Sequence, residues 1–381
     1  MTDERPIFYY AQGTSYLWNW FGLTVGSQGG GGHVNLNIMG NMVSVPDVYT
    51  QTPWGTIPWF GTYTMPSLNV KGLDGTTVLW EGGITEDVFP RLLDEELWQY
   101  KRVPYPASTL FIGPSIEYGV DWVIADILTK PVGTPLALGG YSQGAALMTR
   151  LYDEFRTGRL KNRRSDLRAV VCFGNPRREQ GRTFPGSSGY SGACDVPGDT
   201  LNGHGVFPHI GDMSTVDLYV RRFARLQNTE DLVWEFTMPN EVISGVGDSE
   251  DGSLFQRFTH HSLRFIPLLA LIDIGAFFGK TPLYAVAPPG IEVNEAGETV
   301  MRDALTDEIV GTMPGGGHIM YPGWPPPNAD GTIPTSGPTC YQIAAQYLRD
   351  VGTAIQNELH PVVPAPTSRP TYSWFSSLPG E

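Results

Sequence analysis

Leu136-Ala-Leu-Gly-Gly-Tyr-Ser142-Gln-Gly-Ala-Ala-Leu-Met-Thr-Arg-Leu151 places Gly-Tyr-Ser-Gln-Gly between an apolar strand-like run and a helix-like one. A strand that turns at once into a helix forces the residue at the turn into a strained backbone, and Gly140 and Gly144 give that turn room. This is the context a nucleophile elbow requires. It lifts the Ser142 hydroxyl out of a sheet and points the Gln143 amide towards the place where an oxyanion forms. The five-residue pattern also arises by chance, so its weight rests on the strand before it and the helix after it.

The segments on either side extend the pattern. Pro6 to Ser15 reads as a first buried strand that breaks at Gly13 into a polar turn able to supply a further oxyanion amide. Residues 86 to 100 carry Val88, Leu92, Leu93 and Leu97 at helical spacing, and Tyr100 to Pro106 reads as a strand. Ile116 to Leu128 is a second helix, followed by the strand that enters the elbow. After the elbow helix, Asp166 to Pro176 and Val233 to Pro239 read as further strands; the Asn175-Pro176 pair reads first as a turn and second as a polar residue near the pocket. Strands alternating with helices predict a mainly parallel sheet, and with the elbow an α/β fold of the α/β-hydrolase class.

A single elaborated domain is expected over residues 1 to 360, with a Pro-rich tail at 361 to 381. Residues 16 to 85 have no helical period and are rich in Gly, Trp, Thr and Pro; their tryptophans favour an ordered insertion. Residues 249 to 300 include the apolar Leu254 to Phe278 stretch and read as a helical cap.

Hydrophobic residues make up 41% of the 381 and charged residues 17%, enough apolar content for a sizeable core. The net charge of −14, from 25 basic and 39 acidic side chains, repels phosphate backbones and argues against a nucleic-acid partner. Cys172, Cys194 and Cys340 are too few and too scattered for a disulfide framework or a zinc site. The start Met-Thr-Asp-Glu-Arg-Pro has no signal-peptide pattern, so synthesis in a cytoplasm is expected. Phe265 to Phe278, interrupted by Asp273, falls short of the ~20 residues that span a bilayer, so no integral membrane segment is expected.

A serine hydroxyl needs a histidine to take its proton and a carboxylate to orient that histidine, and in this fold class they follow in the order serine, acid, histidine. His318, in Met313-Pro-Gly-Gly-Gly-His-Ile-Met-Tyr-Pro, has the loop context that best suits a base, with His209 and His260 as alternatives. Asp248, in Gly245-Val-Gly-Asp-Ser on the loop after the last core strand, is the leading acid, with Asp212 and Asp251 behind it. This chemistry needs no metal and no cofactor.

Several separated segments together resemble the lysin B enzymes of phages that infect mycobacteria, within the cutinase-like α/β hydrolases. They are Ala11 to Ser15, Tyr105 to Ser108, Pro114 to Gly119, Gly139 to Gly144, Phe173 to Gly181, Gly247-Asp248, and His318 followed by Tyr321-Pro. The resemblance implies an esterase that separates mycolic acids from arabinogalactan. It implies Ser142 as nucleophile, Asp248 as acid, His318 as base, and the Thr14 and Gln143 amides as the oxyanion hole. A monomer is expected, made in the host cytoplasm and acting on the envelope at lysis. The 16–85 insertion and the long Ser187 to His209 segment depart from the compact members. A generic cutinase or lipase, and a virion or cell-surface binding protein on an esterase scaffold, are the alternative readings.

Overall fold

The computed structural model describes residues 5–13, 23–26, 33–38, 41–46, 50–52, 55–57, 68–71, 78–82, 89–107, 111–188, 205, 207, 218–238, 263, 299–302, 309–313, 321–329 and 332–359. The first strand, β1 (Ile7–Ala11), is wholly buried. Within the 16–85 segment the backbone forms β2 (Leu23–Gly26), β3 (His33–Ile38) and β4 (Asn41–Pro46) as one antiparallel set. Two antiparallel pairs follow, β5 (Thr50–Thr52) with β6 (Gly55–Ile57), and β7 (Leu68–Lys71) with β8 (Val78–Gly82). The core then continues through β9 (Gln99–Arg102), α1 (Ile112–Leu128), β10 (Leu136–Tyr141), α2 (Gln143–Arg156), β11 (Leu167–Phe173), the short α3 (Leu218–Arg221) and β12 (Val233–Phe236). A further antiparallel pair, β13 (Thr299–Arg302) with β14 (Ile309–Met313), and the helix α4 (Cys340–Leu359) follow.

The core strands form a parallel sheet in the order β12-β11-β10-β1-β9, as the strand and helix alternation predicts. Its two faces follow from the period of two along each strand. Ile7, Tyr9 and Ala11 of β1 pack with Ile116, Val120 and Val123 of α1 and with Leu147 and Leu151 of α2. Phe8 and Tyr10 point the other way, to Phe89, Tyr341, Ala344 and Leu348. Both faces are covered, which is why β10 and β11 read as continuous apolar runs. Because β1 leads to β9 on one side and the chain then returns to β10 on the other, strand order reverses between β1 and β10. Ligands of open α/β sheets bind beyond the carboxyl ends of the strands at such a reversal.

Two differences from the sequence expectations have physical causes. Residues 86 to 100 do not form the amphipathic helix: their described part is a 3₁₀ turn at Phe89–Leu92, then tight turns in which Leu97 and Trp98 both donate to the Asp94 carbonyl. Trp98 also donates its indole N–H to the Leu348 carbonyl at 2.9 Å, and the chain straightens to pair with β1, so tertiary contacts override the local period. Helix α4 was not anticipated, although Tyr341, Ala344, Ala345, Leu348, Gly352 and Ile355 bury one stripe of it. The turn expected at Asn175-Pro176 is present, the Asn175 carbonyl accepting the Arg178 N–H at 3.1 Å, and the Asn175 side chain is fully buried. Of the cap stretch, Leu263 lies in the α1 and α2 core, and the remainder falls outside the described residues.

Asn175 joins three elements beside the sheet's carboxyl end. Its amide donates to Glu235 Oε1 on β12 at 2.7 Å, while its Oδ1 accepts the Arg177 backbone N–H at 3.0 Å and the Thr149 hydroxyl of α2 at 3.5 Å. Arg177 is buried as well and reaches Asp153 at 2.7 Å and the Ala224 carbonyl at 3.1 Å. Glu235 is 1% exposed, and its second oxygen has no hydrogen-bond partner among the described residues. Burial pushes its carboxyl up to about 8, against the opposing pull of the Asn175 hydrogen bond and of Arg178 and Arg182. At neutral pH the group is mainly a protonated acid, the cheaper form to bury.

No helix among the described residues is long and apolar enough to cross a membrane.

Two stability measurements test this account. Phe173 meets Tyr341, Phe89, Phe236 and Tyr321 with ring centroids 4.6, 5.0, 5.1 and 5.6 Å away, so Phe173→Ala is expected to cost about 3–5 kcal/mol in urea unfolding. For Glu235 the folded-state value lies above the unfolded one. Its stabilising contribution is therefore complete below the unfolded pKa and is lost as pH rises through about 8. Glu235→Gln, which mimics the protonated acid, is expected to flatten that decline, leaving the variant more stable than the parent at alkaline pH. An unchanged pH dependence would contradict the burial argument.

Candidate active site

Ser142 sits between β10 and α2 at φ +55° and ψ −123°, a backbone conformation that side chains other than glycine rarely occupy. The strain is held by hydrogen bonds on both sides. The Ser142 N–H donates to the Phe173 carbonyl at 2.8 Å, and the Ser142 carbonyl accepts the Ala146 N–H at 3.1 Å, opening the helix. The residue is 5% exposed.

The flanking glycines are steric necessities. A Cβ at Gly140 would collide with the Gly144 carbonyl, and one at Gly144 would collide with the carbonyl oxygens of Ala11 and Gln12. The end of β1 therefore lies directly on the first turn of α2 with no side chain between them. Gly13 continues this contact, since a Cβ there would stand 2.8 Å from the Tyr141 ring and 3.1 Å from the Ser142 Cβ. The turn after β1 and Ser142 thus meet at the point where strand order reverses.

Gln143 is the first residue of α2, so its N–H lies at the positive end of the helix dipole, beside Ser142. Its side chain is 2% exposed and accepts a hydrogen bond from the Ser115 hydroxyl of α1 at 3.4 Å. Gln12 is also buried. Its side-chain oxygen accepts from Arg102 at 3.2 Å, and its carbonyl accepts from the Tyr105 phenol at 2.5 Å. Tyr321 packs edge-on against Tyr141 at 6.2 Å and against Phe173, closing the aromatic wall on the other side of the elbow.

Of the residues expected from sequence, Ser142 and Gln143 are among the described residues and lie at the turn from β10 into α2. Thr14, Asp248 and His318 lie outside the described residues, as do the alternatives His209, His260, Asp212 and Asp251. Sequence reasoning gave no role to Gln12, Arg102, Tyr105 or Glu235. For Glu235 a signal was present: an acid at an inward position of the otherwise apolar strand Val233-Trp-Glu-Phe236.

The Cutinase family model matches residues 82–234, which contain β9, the elbow and Asn175. Endolysin B of Mycobacterium phage D29 is 34% identical over 105 residues, covering 26% of this chain and 41% of that protein. Endolysin B of Mycobacterium phage L5 is 35% identical over 105 residues with the same coverage. A cutinase of Hypocrea jecorina is 35% identical over 79 residues, 20% of this chain and 30% of the cutinase. The chain thus spans about two fifths of the length of the endolysins it matches. Among solved structures, lysin B from mycobacteriophage D29 aligns over 48% of this chain and 79% of that one, with 18% identity and a TM-score of 0.31. With its parallel sheet, glycine-flanked elbow and Cutinase match, the chain has a cutinase-like α/β-hydrolase fold and resembles the endolysin B enzymes of mycobacteriophages.

Proposed function

We propose that the protein is a serine esterase of phage lysis that hydrolyses the ester between mycolic acids and arabinogalactan. The observation that carries the reading is the strained Ser142, held at the head of α2 and flanked by the Gly13 turn. In this mechanism His318 takes the Ser142 proton, Oγ attacks the ester carbonyl carbon, and Asp248 orients the imidazolium that forms. The tetrahedral oxyanion is stabilised by the Gln143 and Thr14 amides, each donor contributing ~3 kcal/mol. Collapse expels the sugar alcohol, which receives the proton from His318. Water activated by the same histidine then attacks the acyl-enzyme and releases the fatty acid.

Two placements support the remaining members of the triad. Tyr321, three positions after His318, packs on Tyr141 beside the nucleophile, and three residues span at most about 10 Å. The strand β12, twelve to fifteen positions before Asp248, adjoins β11 in the same sheet. The names of the similar proteins, endolysin B and cutinase, support the ester and the phage setting. We place synthesis in the host cytoplasm and action at the envelope after lysis, by a monomer.

Ser142→Ala is expected to lower hydrolysis of p-nitrophenyl esters by about 10⁴-fold while keeping the parent's circular dichroism and unfolding midpoint. Retained turnover sinks the serine mechanism. Fatty-acid release from purified mycolyl-arabinogalactan, set beside release from tributyrin, tests the substrate: preference for tributyrin selects a generic cutinase or lipase. Cell-wall binding without turnover selects a binding protein.

A further inference from the structure

The esterase reading leaves open what holds the turn after β1 against the nucleophile. This turn has no side chain of its own at Gly13, and the glycines that let it approach Ser142 also remove any local packing that would fix it. Two side chains from outside the turn grip it. The Tyr105 phenol donates to the Gln12 carbonyl, and the Arg102 guanidinium donates to the Gln12 side-chain oxygen. Arg102 ends β9 and Tyr105 follows in the chain leaving it, which is itself pinned by the Val103 N–H on the Tyr10 carbonyl at 2.9 Å.

Tyr105 is in turn backed by α1 at Gly119, where a Cβ would stand 2.3 Å from the Leu147 Cδ1 of α2 and 3.0 Å from the Tyr105 Cβ, so Tyr105 lies close against the helix. The segment also holds Ala107 at φ +51°, an uncommon conformation for a residue with a side chain. A continuous set of contacts therefore runs from α1 through Tyr105 to the Gln12–Gly13 peptide and on to Ser142.

We propose that Tyr105 and Arg102 are positioning residues, which set the oxyanion side of the Ser142 site by clamping the Gln12–Gly13 peptide against the elbow. The proposal rests on the esterase reading. It assigns the pair no contact with substrate; they act on the placement of the backbone where negative charge develops. An oxyanion donor gains most of its effect from being fixed before the reaction, so a clamp of this kind acts on the transition state more than on substrate binding.

The test compares Tyr105→Phe and Arg102→Met with the parent in ester hydrolysis and in covalent modification of Ser142 by a p-nitrophenyl alkylphosphonate, whose pentacoordinate transition state places charge on the same oxygen. Tyr105→Phe removes one hydroxyl and is expected to lower kcat about tenfold, with KM within about twofold of the parent. The phosphonylation rate should fall in proportion, with the unfolding midpoint unchanged. Arg102→Met is expected to give a smaller loss in the same direction. Unchanged kcat in Tyr105→Phe, or a loss that tracks a falling unfolding midpoint or a rising KM, overturns the clamp. Should Tyr105→Phe fail to fold, Arg102→Met decides by the same criteria. A parent that neither turns over esters nor takes the phosphonate overturns the esterase reading itself, whereas an active parent with an equally active Tyr105→Phe overturns only the clamp.

Discussion

Everything around the site follows from one backbone constraint, the positive φ at Ser142. A strand can reverse into a helix within a single residue only if the groups around the bend are small, and here they are: Gly140 and Gly144 occupy positions where a methyl group would strike backbone. The cost of such a conformation, of order 1–3 kcal/mol, must be met by packing elsewhere. It is met by a sheet covered on both faces, by helices α1 and α2 on one side and by α4 with the aromatic cluster around Phe173 on the other.

The same face that carries α2 also carries a second, quieter constraint. Asn175, Glu235, Thr149, Arg177 and Asp153 link β12, the turn after β11 and the elbow helix through buried hydrogen bonds and one ion pair. Buried polar groups are costly unless satisfied, so such a network fixes one arrangement of the three elements more sharply than apolar packing does. Keeping Glu235 neutral removes the largest part of that cost. The carboxyl ends of β11 and β12 are thereby held in register with the helix that follows Ser142.

Much of this was legible in the residues. The elbow, the first strand, helix α1 and strands β10, β11 and β12 fall where the apolar runs and glycines put them, because each is a local pattern buried on the face the pattern implies. Helix α4 was missed because its buried stripe is built partly from alanine and glycine, which carry little hydrophobic signal until Trp98 is seen to pack beside Gly352. The false helix at 86 to 100 fails for the converse reason: its leucine spacing is real, but the indole bond of Trp98 and the pairing of β9 with β1 are long-range contacts no local period reports. Gln12 and Tyr105 fall in segments that carry the resemblance, but their contact, like that of Arg102, was not legible, since a side chain that grips a distant oxygen leaves no periodic trace.

The pairing of β1 with β10 joins Ile7 to Leu136, with all of residues 16 to 85 closed into the intervening loop. Closing so long a loop costs entropy before any contact repays it, and pairings of this separation form late in folding. The turn of β10 into α2 is local, yet the peptide beside Ser142 comes from the far end of that loop. A chain that has formed the helix but not this strand pair carries its serine with only half of the surrounding site. On the esterase proposal, reactivity at Ser142 is therefore a property of the closed loop, and its appearance during refolding would date the long-range pairing rather than the elbow.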